Sequence, residues 1–206
     1  MVAYLSSLII EFVQLNGYLA VFILMTLESA LIPIPSEITM PFAGFMVYKG
    51  ILSFWLVALV GAFANLVGSL IGYYIGMLFQ EESLLKWIRK YGKFILLDEH
   101  DYMRSRMWFE EHGKSTVFFS RLLPGVRTFI SLPAGVFRVP LFIFSVYTFV
   151  GSFIWSALLT YIGFYLGSNW MIIEYYFEKF HVVIIVTAVI LIGYFLYRKL
   201  FRKKTI

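Results

Sequence analysis

A broken apolar stretch near the start of the chain constrains its fold more than any other feature. The sequence ESALIPIPSEITMPFAG, residues 28–44, carries two glutamates, three prolines and a glycine within otherwise apolar surroundings. Each proline ring removes a backbone donor, so one continuous membrane helix cannot form there. A second apolar stretch, 115–137, is broken in the same way at Pro124 and Pro133 and contains two arginines. The chain therefore needs a fold that satisfies non-helical backbone within an apolar environment.

The composition places these stretches in a membrane. The 206 residues are 61% hydrophobic and 14% charged, whereas soluble domains have about 45–50% apolar and about 25% charged residues. The apolar runs at 52–79, 141–167 and 181–201 are long enough to span a hydrocarbon core of about 30 Å. The absence of cysteine excludes thiolate chemistry and cysteine-bound metals. We expect no metal, no cofactor and no nucleic-acid partner.

The sequence repeats itself at an offset of 91 positions. Eight residues are identical across 46 ungapped positions, and they collect at LIP with LLP, PFAG with LPAG, and IGYYIG with IGFYLG. Segments of similar composition also align by chance, but three landmarks at one offset favour a true repeat. We interpret the chain as one all-α polytopic membrane domain, made of repeat 1 (about 17–79), an amphipathic cytoplasmic linker (80–114), repeat 2 (about 115–167), and a last transmembrane helix with a basic tail (168–206).

Each repeat is predicted to form a re-entrant helical hairpin followed by one full transmembrane helix. An arm of about 14 residues measures roughly 21 Å, which is too short to cross the membrane. Each unit then crosses once, so the second repeat is inverted relative to the first, as in many transporters. A cytoplasmic C-terminus places thirteen of the 17 Lys and Arg residues inside, as the positive-inside rule requires. This reasoning does not place residues 1–16.

Prolines and glycines mark where the two hairpins are expected to break. The tips should meet in the interior around a hydrated cavity, because irregular backbone at membrane depth needs protein or water to satisfy it. We assign the breaks to Pro33, Pro35, Pro41, Gly44, Pro124, Pro133 and Gly135.

Ionisable residues flank both breaks, which predicts a binding and proton-transfer site. Arginine presents a planar, permanently charged fork suited to phosphate, and a glutamate in a poorly hydrated cavity can take up and release a proton. An anionic headgroup would displace a carboxylate from an arginine, giving a proton-coupled cycle. Four charges of balanced sign would equally form static ion pairs that fix the hairpins together. The predicted substrate-binding residues are Arg121, Arg127, Ser36 and Thr128, and the predicted proton-coupling residues are Glu28 and Glu37.

The chain resembles the DedA family of bacterial membrane proteins, which is related to the VTT-domain lipid scramblases of eukaryotes. The resemblance rests on LESALIPIPSEITMPFAG, FFSRLLPGVRTFISLPAGVFRVPLFIF and GSFIWSALLTYIGFYLG. The family pattern F-x-R-x-x-P-x-x-R is met from Phe119 to Arg127, and the family's acidic positions match Glu28 and Glu37. The resemblance implies opposed re-entrant hairpins and lipid translocation. Family members are linked to undecaprenyl phosphate recycling, to phosphatidylethanolamine and to the proton gradient.

Three functions are compatible with these residues. The first is a flippase or scramblase in the bacterial cytoplasmic membrane that translocates a phosphate-bearing lipid, for which the resemblance favours undecaprenyl phosphate. The second is a transporter of phosphatidylethanolamine or of phospholipids in general, and a third is a small ion-coupled antiporter. A lipid phosphatase of the membrane acid type needs histidines as nucleophile and general acid. It is disfavoured, because the three histidines at 100, 112 and 181 lie away from the breaks. The sequence leaves open the lipid, the direction of transport and whether the chain forms a homo-oligomer.

Overall fold

The described part of the chain consists of helices joined by turns, without strands. The computed structural model describes residues 2–32, 34–79, 85–86, 99–123 and 126–167. Three predictions fall outside these residues: the breaks at Pro33 and Pro124, most of the linker before residue 99, and the last transmembrane helix with its basic tail.

Two of the described helices are long and apolar enough to cross a membrane, namely Phe54–Leu78 and Leu141–Leu166. They confirm the spans predicted at 52–79 and 141–167, and the all-helical fold class is confirmed with them. The helices in chain order are α1 (Val2–Asn16), α2 (Tyr18–Ser29), α3 (Ser36–Tyr48), α4 (Phe54–Leu78), α5 (Glu99–Ser120), α6 (Val126–Phe129), α7 (Ser131–Val136) and α8 (Leu141–Leu166).

Helix α4 lies at the centre, with α2, α7 and α8 packed along it. Glycines on α4 allow these neighbours to approach closely, because they present no side chain at the contact. A methyl group on Gly68 would collide with the carbonyl of Thr26 in α2, and one on Gly76 would collide with the carbonyl of Leu132 in α7. The glycines on α4 therefore serve close helix packing.

The second half of each broken stretch is called its return arm here: α3 in the first stretch, and α6 with α7 in the second. Each return arm crosses the long helix of the other repeat. Gly44 of α3 lies against the backbone of Thr160 in α8, and Gly135 of α7 lies against the backbone of Tyr73 in α4. Gly44 and Gly135 occupy the same position at the 91-residue offset. Both crossings thus use one glycine where two helix backbones touch, although their contact points on α4 and α8 differ by one helical turn.

Four expected breaks lie inside helices, and for them the predicted position is wrong. Pro41 and Gly44 are within α3, which runs on without interruption, and Pro133 and Gly135 are within α7. Pro41 lacks an amide donor, but its backbone packs against Gly163 of α8. This tertiary contact holds α3 together where local propensity alone predicts a break.

Pro35 does mark an interruption, and a second interruption lies three residues before Pro133. Pro35 is extended, with φ −78° and ψ 111°, and immediately precedes α3. In the same turn Leu31 adopts φ 74°, an uncommon value for a residue with a side chain. Pro133 has no N–H to donate to the preceding turn, and the return arm is accordingly interrupted at Ile130, between α6 and α7.

Helix α5 is continuous across the boundary expected between the linker and the second repeat. It spans Glu99–Ser120, so the polar end of the linker and the first apolar arm form one helix. That helix ends directly before Arg121. The second break is therefore approached by an uninterrupted helix, which gives Arg121 a defined position.

Alanine at Gly135 or Gly44 is expected to destabilise the protein by about 1–3 kcal/mol, because the added methyl group has no room between two backbones. Gly113→Ala is the matched control, since the atoms nearest to an added methyl group there lie at 3.5 and 3.6 Å. Thermal unfolding of the purified variants in detergent measures the difference. Equal stability of all three variants would contradict the two crossings.

Candidate functional site

Arg127 joins the second broken stretch to the first. Its side chain, on α6, is 4% exposed. The Nη2 atom forms an ion pair with Oε1 of Glu28, at the end of α2, and also donates to Oγ of Ser36, at the start of α3. Arg127 and Ser36 are 91 residues apart, which is the offset of the sequence repeat. One guanidinium thus connects α2, α3 and α6.

Glu28 is held from a second side by the start of α3. The backbone N–H of Ser36 donates to Oε1 of Glu28, at 3.4 Å. The N–H groups of a first helical turn have no partner within the helix, and the positive end of the helix dipole favours an anion. The Pro35 break therefore creates a helix start whose free amide faces the carboxylate.

Asn65 of α4 completes the surroundings of Arg127, and the sequence analysis missed it. Its Oδ1 accepts a hydrogen bond from Ser29 Oγ and lies 3.5 Å from Nη1 of Arg127. Its Nδ2 donates to the carbonyl of Gly61, at 2.9 Å, which fixes the orientation of the amide. A signal was present, because a lone amide side chain within a long apolar run marks a polar contact in the interior.

Arg121 has neutral partners only, as far as the described residues extend. Its Nη1 donates to Ser69 Oγ at 2.9 Å and to the carbonyl of Arg127 at 2.6 Å, and its Nη2 donates to Ser131 Oγ at 3.1 Å. Its Cζ atom lies 5.5 Å from the centre of the Phe144 ring. Arg121 is therefore fixed by a hydroxyl of α4, a hydroxyl of α7 and the backbone of α6.

Two of the predicted residues lie beside this network and not within it. Glu37 and Thr128 are partly exposed, and neither forms a hydrogen bond or ion pair with the arginines among the described residues. Each follows a network member by one position, and a step of one residue turns a side chain by about 100° around a helix. The expectation that two acids face two arginines is thus met only by Glu28 and Arg127.

The buried charges of the described residues do not balance. They are Glu28, Arg121 and Arg127, one anion and two cations. Buried polar atoms of the same three side chains lack a hydrogen-bond partner among these residues, namely Oε2 of Glu28 and the Nε atoms of both arginines. Buried charge is costly unless it is paired, so this network can accept one more anion. No group of three metal-ligating side chains occurs in the described ranges.

Trp155 of α8 also contacts the network, through the Arg127 guanidinium. Its ring centre lies 5.7 Å from Cζ of Arg127, within the range of a cation–π interaction. Its Nε1 atom is buried and finds no acceptor among the described residues. The sequence analysis missed Trp155, because a tryptophan in an apolar span gives the same signal as one that faces lipid.

The chain is similar to a family model and to several named proteins. The VTT domain model matches residues 34–165. Undecaprenyl phosphate transporter A of Staphylococcus aureus is 34% identical over 202 residues, covering 98% of this chain and 100% of that protein. The transporter of the same name from Bacillus subtilis is 33% identical over 196 residues, covering 95% of each chain.

A protein of Lactococcus lactis subsp. lactis named alkaline phosphatase-like protein is 34% identical over 186 residues, covering 88% of this chain and 86% of that protein. No solved structure matches the chain significantly. The matched region includes all the residues that contact Arg127 except those at the end of α2, and the similarity extends over nearly the whole chain. These matches confirm the resemblance stated from the motifs: the chain belongs to the DedA family of bacterial membrane proteins, defined by the VTT domain.

Proposed function

We propose that this protein translocates a phosphate-bearing lipid across the bacterial cytoplasmic membrane, with undecaprenyl phosphate as the substrate. The names of the two relatives that are similar over nearly their full length support this substrate. The observation that carries the proposal is the buried ion pair between Arg127 and Glu28, which links the two broken stretches. An anion-binding group at that place can be reached by a headgroup that leaves one leaflet for the other.

The proposed cycle exchanges one anion for another at Arg127. The guanidinium fork binds a phosphate as well as a carboxylate, through charge-assisted hydrogen bonds. A headgroup that takes the place of Glu28 leaves a buried carboxylate without its cation, which is costly. Glu28 then takes up a proton, and its release restores the ion pair. Lipid and proton binding are thereby linked at one pair of side chains.

The remaining predicted residues take supporting roles in this proposal. Arg121 supplies a second positive charge to the headgroup, and the excess of one buried cation in the described residues supports binding of an anion. Ser36 and Glu28 both accept from the Nη2 atom of Arg127, and the hydroxyl of Ser36 would donate a hydrogen bond to the phosphate. Thr128 and Glu37, both partly exposed beside the network, would contact the headgroup and the proton on their way to Arg127.

The proposed arrangement in the membrane is a pair of opposed re-entrant hairpins. Helices α2 and α3 have 12 and 13 residues, so each spans only about 18–20 Å of a core of about 30 Å. Ser36 and Arg127 are equivalent in the two repeats, and equivalent positions touch only near the axis that relates the repeats. The reciprocal crossings at Gly44 and Gly135 support the same relation. Inverted repeats around a central site suit alternating access.

Labelling of single cysteines tests this arrangement, because the natural chain has no cysteine. Lys49→Cys and Arg138→Cys place a thiol at two exposed positions near the ends of the return arms. A membrane-impermeant maleimide added to intact cells is expected to label position 49 and to leave position 138 unlabelled until the membrane is permeabilised. Labelling of both positions from the same side would exclude the inverted repeat.

Transport by variants of the ion pair tests the function itself. Arg127→Ala would leave Glu28 buried without a partner, at a cost of about 3–5 kcal/mol, so the informative variant is the double substitution Glu28→Gln with Arg127→Gln. It keeps the shape of the Glu28 side chain, replaces the Arg127 side chain by a shorter neutral amide, and removes both charges. We expect it to fold, by gel filtration and thermal unfolding, and to lose at least 90%, roughly tenfold, of the translocation of a fluorescent polyprenyl phosphate in proteoliposomes. Wild-type translocation by this variant would remove the pair from the mechanism.

The relatives named alkaline phosphatase-like protein make a lipid phosphatase the second candidate. Hydrolysis of a phosphate ester needs a nucleophile or an activated water, and the charged groups buried at the site are two arginines and one glutamate among the described residues. We expect the purified protein to release no inorganic phosphate from a polyprenyl phosphate, as measured with a colorimetric phosphate assay. Release of inorganic phosphate by the wild type that is lost in the double variant would establish a phosphatase.

Competition in the translocation assay tests a general phospholipid transporter. Phosphatidylethanolamine added to the same proteoliposomes should slow translocation of the polyprenyl phosphate only if both lipids use one site.

A further inference from the structure

Trp155 is the one aromatic side chain recorded in contact with the Arg127 guanidinium, among the described residues. It comes from α8, which belongs to neither hairpin tip. Tryptophan N–H groups in protein interiors usually have a hydrogen-bond partner, and leaving a buried donor unsatisfied is costly. The indole Nε1 of Trp155 is buried and has no acceptor within the described part of the chain.

A second unsatisfied donor lies in the same contact. Nε of Arg127 is also buried without an acceptor, while the Nη atoms of this guanidinium are engaged by Glu28, Ser36 and Asn65. An indole N–H and a guanidinium N–H can only donate. A group that satisfies both must bring acceptor oxygens, and beside two buried cations a phosphate monoester, with several acceptor oxygens and a negative charge, is such a group.

The indole ring also offers Arg127 a contact that is independent of Glu28. A cation–π contact is stronger when it is desolvated, and it does not depend on whether the carboxylate is ionised, protonated or displaced. The ring would therefore retain the guanidinium during the exchange of anions. A tryptophan that served only for apolar packing would have no reason to place its N–H at a buried position without an acceptor.

We infer that Trp155 is a further ligand-binding residue of this protein: its ring face holds the Arg127 guanidinium when Glu28 is exchanged for a phosphate monoester, and its indole N–H donates to an oxygen of that phosphate. The inference rests on the proposed function and assigns one more side chain to the same site. It also extends the site from the two hairpin tips to the long helix α8.

Two substitutions separate the two roles. Trp155→Phe keeps a ring face toward Arg127 and removes the N–H, whereas Trp155→Leu removes both. Trp55→Phe is the matched control, because Trp55 is 64% exposed and stacks on Phe153 with a centroid distance of 6.4 Å. Thermal unfolding without ligand confirms that each variant is folded before binding is measured.

Calorimetric titration of the full-length protein in detergent measures binding of two probes, farnesyl phosphate and inorganic phosphate. We expect both to bind the wild type, with farnesyl phosphate tighter if the natural ligand is a lipid headgroup and the two equal if it is free phosphate. Trp155→Phe should weaken both by roughly tenfold, the effect of one lost hydrogen bond to a charged group. Trp155→Leu should weaken them further, and Trp55→Phe should bind as the wild type does.

The outcomes distinguish this inference from the proposed function. Wild-type affinity in Trp155→Phe would overturn the N–H contact, and wild-type affinity in Trp155→Leu would overturn the role of the ring, in both cases with the proposed function intact. Failure of the wild type to bind either probe would overturn both proposals. As a direct readout, the indole ¹⁵N–¹H resonance that disappears in Trp155→Phe should shift when farnesyl phosphate is added, while that of Trp55 should not.

Discussion

The buried ion pair between Arg127 and Glu28 is the contact on which the arrangement of the described helices depends. Neither charge is tolerable alone in an apolar interior, so each fixes the position of the other and of the helices that carry them. Apolar packing would bring the helices together in many registers, whereas one guanidinium bound to a carboxylate, to Ser36 and to Asn65 specifies a single register. The two arginines also reach two separate apolar clusters of the described residues. Arg127 contacts Trp155, which packs against the cluster that contains Met25 and Met40, while Arg121 contacts Phe144, which belongs to the cluster that contains Tyr73 and Val117.

The glycine crossings bring the helices of the two broken stretches close to the long helices around this polar centre. Arginine and glutamate side chains reach each other across several helices only if the backbones approach closely, and Gly44 and Gly135 permit that approach. Arg121 contributes in a different way, by donating to the carbonyl of Arg127 and so holding the backbone from which the second guanidinium extends. The two arginines therefore differ in their partners: Arg121 is enclosed by neutral groups, and Arg127 is paired with a carboxylate.

The sequence predicts the parts of this site that depend on backbone breaks and formal charge, and it does not predict the parts that depend on contact. Arg127 and Glu28 could be found because charged residues within apolar sequence are rare. Glu37 carries the same signal, but its position one residue after Ser36 turns it away from the arginines. Pro41 is read as a break by local rules, yet the packing of its backbone on α8 keeps the helix intact. A residue type indicates a local propensity, whereas packing against a neighbouring helix determines whether the helix breaks and whether the side chain is buried.

The neutral partners of Arg127 bear on how a proton-linked exchange would work. Oδ1 of Asn65 and the ring of Trp155 keep their character whether Glu28 is ionised, protonated or displaced, so they hold the guanidinium in place throughout. The positive charge would then stay fixed while its anionic partner changes, and movement would be confined to the helices around it. Replacing one charge-assisted pair by another of similar strength would also keep the free energies of the carboxylate-bound and headgroup-bound states similar. A transporter needs that property, because a headgroup bound too tightly at the centre would never leave it.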